Sequence, residues 1–121
     1  MRIDRSPSTV GNGRTFMKST RTKALAIGQS VKKEVHSRDN GCCIFCGQSV
    51  EEFYACCHVI PRSSGGLGIA ENIVTGCYAC HSKMDSTENR KWMVDYATEY
   101  LRKRYANFDK TQLIYTKGWV R

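Results

Sequence analysis

Cys43-Ile44-Phe45-Cys46 and Cys77-Tyr78-Ala79-Cys80 are two C-x-x-C pairs, with residues 47 to 76 between them. Four thiolates can surround a tetrahedral Zn²⁺, and a two-residue gap lets one tight knuckle present both sulfurs to the same ion. Cys43, Cys46, Cys77 and Cys80 are therefore the expected ligands of a structural zinc. Cys42 is an alternative to Cys43, but it would lengthen the first gap by one residue. Structural zinc in finger peptides is bound with about 10 to 16 kcal/mol, comparable with the stability of a whole domain. The centre of the chain is expected to unfold without its metal. Seven cysteines are an odd number, and paired spacing fits reduced thiols better than a disulfide framework. Of the others, Cys56 and Cys57 fall in an apolar run, where Cys56 reads as a small buried hydrophobe.

Between the pairs, Phe53 to Ile60 is rich in aromatic, small and β-branched residues and is stopped by Pro61. A Gly-rich loop, Arg62-Ser-Ser-Gly-Gly-Leu-Gly, leads to a second short apolar run, Asn72 to Thr75, and a helical turn is expected from near Tyr78. The order is strand, loop, strand, helix. Upstream, Ile27, Val31 and Val35 at i, i+4, i+8, with Ser30 as N-cap, predict a short helix ending near Asn40-Gly41. Downstream, Trp92, Met93, Tyr96, Ala97, Tyr100 and Leu101 form one face of an amphipathic helix from Ser86 to about Tyr105, with Lys91, Asp95, Thr98 and Arg102 opposite. Gln112 to Tyr115 and Gly118 to Val120 read as a strand or a loosely docked tail.

With 121 residues, 40% of them hydrophobic and 25% charged, the chain has the size and balance of one globular domain. The division expected is a basic flexible arm over 1–24, a zinc-stabilised domain over 25–105 and a tail over 106–121. Net charge is +8, distributed as +6 over 1–39, −2 over 40–85 and +4 over 86–121. Basic flanks suit a polyanion, because Lys and Arg displace the counterions condensed on a phosphate backbone. No apolar run approaches the ~20 residues that span a bilayer. Met1 to Thr20 has no apolar core of a leader, so the expected location is the cytosol, without a membrane.

The stretch Cys57-His58-Val-Ile-Pro-Arg62-Ser-Ser-Gly-Gly66, then Asn72-Ile-Val, then Cys77-x-x-Cys80-His81, closely resembles the HNH endonuclease family. Arg38-Asp-Asn-Gly-Cys-Cys-Ile-Phe-Cys46-Gly resembles the first knuckle of its zinc-containing members. The resemblance covers roughly Arg38 to Asp85. It implies an α+β fold with a zinc-stabilised, treble-clef-like ββα-metal core and flanking helices. It also implies metal-dependent hydrolysis of DNA phosphodiesters to 5′-phosphate and 3′-hydroxyl ends. Small free-standing HNH proteins are often phage-encoded, which would put this one in a bacterial host cell. Some act beside packaging machinery.

Phosphodiester hydrolysis needs an activated water, neutralisation of charge on the phosphate and help for the departing oxygen. His58 matches the general base, being mostly neutral at pH 7 with an ordinary imidazole pKa near 6.5; alone on an apolar strand it would read as a core histidine. Asn72 matches the position that braces the loop and orients that base, with a turn asparagine as the plain alternative. His81 matches the ligand of a catalytic divalent ion, Mg²⁺, Mn²⁺ or Ni²⁺. Asp85, one helical turn on, is either a further ligand or the start of a capping box, Asp85-Ser-Thr-Glu88.

Cys57 departs from the pattern, because many members carry Asp or His before the base as a ligand of that ion. A thiolate matches Mg²⁺ poorly, so Cys57 is a spectator, or the site takes a softer ion, or catalysis is weakened. Arg62 and Lys83, the only basic residues between 40 and 85, are the candidates for nucleic-acid contacts. His36 is expected to be solvated. A catalytically silent zinc module that binds DNA or a protein is the rival reading, and a redox role for Cys43 and Cys46 is a third.

Overall fold

The computed structural model describes residues 20–116. Its first element, α1 (Thr20–Leu25), is helical where the sequence predicted a flexible arm. Leu25 is buried, which anchors the segment; residues 1–19 of the expected arm lie outside the described residues. The second helix, α2 (Gln29–Arg38), buries Val31 and Val35 as predicted. Its N-cap is Gly28 rather than Ser30, because the extended backbone at Gly28 turns into the helix two residues earlier. Left-handed Asn40 (φ 58°) and Gly41 (φ 68°) then terminate it.

At the C-terminal end of α2 a buried ionic network locks the helix to the centre. Arg38 pairs with Asp39 through Nε–Oδ1 (2.8 Å) and Nη2–Oδ2 (3.0 Å) and donates to the carbonyls of Ala70 (2.8 Å) and Ile73 (2.7 Å). Asp39 also accepts from the Thr75 amide (2.9 Å) and the Tyr100 hydroxyl (2.7 Å). Its side chain is fully buried, so these bonds replace its lost hydration.

A two-stranded antiparallel sheet follows, β1 (Cys57–His58) with β2 (Ile73–Val74), in the register Cys57 opposite Val74 and His58 opposite Ile73. It is shorter than the run Phe53 to Ile60 predicted. Glu52–Tyr54 coils into a 3₁₀ turn that leaves Phe53 exposed, and a second 3₁₀ turn, Ala70–Asn72, removes the partner that would extend the ladder. Next come α3 (Tyr78–Met84) and α4 (Thr87–Arg104). The Ser86 side chain caps α4 by accepting from Asn89 N (3.3 Å), whereas Asp85 is the C-cap of α3. The cap predicted at Asp85 thus falls one residue later, at Ser86, and the box with Glu88 does not form.

Met93, Ala97 and Leu101 of α4 enter the main core with Cys43, Cys57, Val59, Val74, Cys77 and Cys80. Trp92 and Tyr96 stay about half exposed, flanking the Phe45 ring at 6.4 and 5.6 Å. The buried stripe is therefore narrower than predicted, and Thr98, placed on the polar face, is buried. A second cluster packs Val31 and Val35 on Ala55, Ala70 and Ile73.

The tail residues 112 to 115 dock. Lys110–Leu113 forms a 3₁₀ turn, Leu67 N donates to Leu113 O (2.8 Å), and Tyr115 N donates to Gly65 O (2.8 Å). Gly118 to Val120 lie outside the described residues. This arrangement is α+β, as expected, with a four-cysteine cluster beside the sheet. Among the described residues no helix is long and apolar enough to cross a membrane.

Candidate nuclease site and metal centre

The first knuckle forms because the chain reverses within five residues. Cys43 N donates to Gln48 O (2.8 Å), and Gly47 N returns to Cys43 O (2.9 Å). The second knuckle is the N-terminus of α3, where Cys77 is the N-cap and its sulfur accepts from Cys80 N at 3.5 Å. Donation from that backbone amide lowers the Cys77 thiol to about 7, in the direction a ligand thiolate requires. The sulfurs of Cys43, Cys46, Cys77 and Cys80 all lie within 4.8 Å of one another. A tetrahedron with Zn–S bonds of about 2.3 Å has edges of about 3.8 Å, and Cys46 Sγ to Cys77 Sγ is 3.7 Å. The donor set and its spacing fit a structural metal such as zinc. Cys42 is outside this group and points to Asn40 O (3.4 Å).

The other half of the site is the loop between β1 and β2. Asn72, completely buried, accepts from Ile60 N (2.9 Å) through Oδ1 and donates through Nδ2 to Leu67 O (2.9 Å) and Ile60 O (3.2 Å). One amide thus ties both ends of the loop, a task suited to a group that donates and accepts without titrating. The strap closes only because position 66 is glycine: a Cβ there would lie 1.7 Å from Ile60 O and 2.9 Å from Asn72 Nδ2.

His58 leaves β1 half-buried, and its Nε2 lies 2.9 Å from the carbonyl oxygen of Leu25 at the end of α1. Burial lowers its pKa below the usual imidazole value, opposed by that hydrogen bond and assisted by the charges of Arg62 and His81. Asn72 does not hold this ring directly; its bonds go to the loop backbone, and the bond to the ring comes from Leu25. His81 follows Cys80 on α3, so the second knuckle sets its place, and its charge acts on both His58 and Cys56. Asp85, exposed at the end of α3, exerts its charge on Cys57. The charges of Arg62 and His81 thus reach His58, whereas that of Asp85 reaches Cys57, and Arg62 on the loop, Lys83 on α3 and Asp85 at its end are exposed.

Cys57 itself is fully buried in the main core, and a Cβ on Gly76 would come within 2.8 Å of its sulfur. Its hydrogen bond with Cys56, together with burial, pushes its thiol up. Cys56 is the more accessible of the two, and the same bond lowers it to about 6. Cys56, expected to be the buried hydrophobe, is thus only partly buried just before β1, and Cys57 is the one that enters the core. His36, expected in solvent, instead bonds Val50 O through Nε2 at 2.7 Å and is partly buried. A groove of about 310 Å³ runs between Ile60-Pro61 and α4, with Arg90, Lys91 and Lys110 in its walls.

Sequence reasoning did not find the Leu25 carbonyl or the Arg38–Asp39 lock. A backbone acceptor leaves no trace in residue type. Arg38-Asp39 carried only the signal of an acid beside a base. Residues 43–93 match the family model described as HNH endonuclease. No curated protein and no solved structure matches the chain.

Proposed function

We infer, from the match of residues 43–93 to the HNH endonuclease family model, that this chain is a metal-dependent nuclease that hydrolyses DNA phosphodiester bonds to 5′-phosphate and 3′-hydroxyl ends. The observation that carries the reading is His58, half-buried at the end of β1 with its Nε2 2.9 Å from Leu25 O and within reach of the charges of Arg62 and His81, where burial lowers its pKa. At neutral pH such an imidazole is unprotonated, and Nδ1, the nitrogen away from Leu25, takes the proton of the attacking water. Asn72 keeps the loop shut behind it. Arg62 and Lys83, with the cations of the α4 groove, hold the phosphate backbone.

Cys43, Cys46, Cys77 and Cys80 hold structural zinc, and His81 with Asp85 would hold the catalytic divalent ion. Such an ion, when bound, neutralises charge on the phosphate and on the departing 3′ oxygen. Cys57, buried among the knuckle residues, belongs to the packing and contributes no ligand.

That missing ligand also favours a second reading, a catalytically silent zinc module that binds nucleic acid. A supercoiled plasmid with Mg²⁺, Mn²⁺ or Ni²⁺ separates the two. The nuclease nicks it, and His58→Ala lowers the rate by about 10² to 10⁴-fold, the usual worth of a general base. If wild type and variant bind the plasmid equally and neither cuts it, the silent module is correct.

A further inference from the structure

Three contacts join the segment just upstream of α2 to the loop that carries the proposed catalytic edge. Arg21 Nη2 donates to Arg62 O (3.3 Å), Gly68 N donates to Ala24 O (3.0 Å), and Leu25 O meets His58 Nε2 (2.9 Å). The last carbonyls of any helix lack intrahelical partners. In α1 two of them are spent here, Ala24 on this loop and Leu25 on His58 at the end of β1. The Leu25 side chain, 2% exposed, fixes the depth at which the helix end sits. The approach is permitted by Gly68, where a Cβ would stand 2.0 Å from Ala26 O and 2.9 Å from Leu25 O.

A carbonyl oxygen only accepts, so the His58 nitrogen facing it must carry the proton, and the neutral ring then keeps its lone pair on Nδ1. We propose that residues 20–26, upstream of the family match, are a positioning element of the active site: the Leu25 carbonyl holds His58 as the Nε2–H tautomer and aims Nδ1 outward, and Gly68 is the positioning residue that admits it. The role of Nδ1 as base rests on the function proposed above; the tautomer and its cause do not. The consequence is that the matched segment is incomplete without a helix far from it in sequence. Removal of that helix abolishes orientation of the base as well as whatever affinity its cations add.

The test is a long-range ¹H–¹⁵N correlation on the full chain, read on the His58 ring. His36, bonded to Val50 O through Nε2, is the internal reference for the Nε2–H pattern. Wild type is expected to show that pattern at both rings. Gly68→Ala, which drives the α1 end away, is expected to lose it at His58 only. Leu25→Ala, which removes the buried anchor without a clash, tests the same point should Gly68→Ala not fold. In cleavage assays both variants should lose kcat, by about 10²-fold for a misplacement near 1 Å, with KM little changed. An Nδ1–H pattern at His58 in wild type overturns the proposal, as does an unchanged His58 pattern in folded variants. If wild type does not cleave, the nuclease reading fails and the ring spectra still decide the role of Leu25.

Discussion

The two knuckles take their sulfurs from residues 43–46 and 77–80, each pair closed within a single turn, and one ion can hold all four. The His58 edge is assembled differently, from neutral hydrogen bonds that reach from Leu25 in α1 to Asn72 before β2. With such an ion bound, the knuckles would concentrate their stability in one ligand and respond all or none. The edge spreads it over bonds worth about 1 kcal/mol each, so it can lose alignment while the fold survives. His81 stands where the two meet, one residue beyond Cys80.

That contrast can be broken at the knuckle first. Chelation, or Cys77→Ser, should abolish the cooperative unfolding transition seen by circular dichroism, since about 10 to 16 kcal/mol of metal binding is folding free energy. Zinc returned to the chelated wild type should restore it, and a transition that survives chelation would separate the fold from the metal. Next is the Arg38–Asp39 lock, shared by both halves because it reaches Ile73, Thr75 and Tyr100. Asp39→Ala should cost about 3 to 5 kcal/mol by leaving Arg38 without its buried partner, measured as a fall in urea midpoint with zinc still bound.

Asn72→Ala sharpens the comparison. It deprives Ile60 N and Leu67 O of partners at about 1 to 3 kcal/mol per buried group. Cleavage should fall further than that stability loss explains, and equal losses of rate and stability would make Asn72 a purely structural strap. The smallest effect concerns pH. Because burial holds the folded pKa of His58 below 6.5, protonation would disable the proposed base only in more acid solution. With metal saturated, the rate should therefore stay level through neutrality and decline below that value. A decline already under way above 6.5 would contradict the assignment.

Much of the knuckle was legible because its information is local. Cys43, Cys46, Cys77 and Cys80 announce themselves by spacing, and the period of Val31 and Val35 or of Met93, Ala97 and Leu101 reports which helix faces are buried. The order His58, Asn72, His81 was legible only through resemblance. The failures share a cause. Phe53 looked like a strand residue but sits in a 3₁₀ turn, Trp92 and Tyr96 looked buried but half-cover Phe45, and His36 found Val50 O. Each depends on which neighbour arrives from elsewhere in the chain.

Residue types and their intervals determine the metal donors, the α+β order of elements and the cationic flanks. Tertiary structure decides that Cys57 is buried in the core while Cys56 is only partly buried, that Asn72 straps a loop, and that His58 is met by a carbonyl from α1. Side-chain chemistry is written in the letters. Main-chain oxygens and amides are the same at almost every position, so their use depends on where folding brings them.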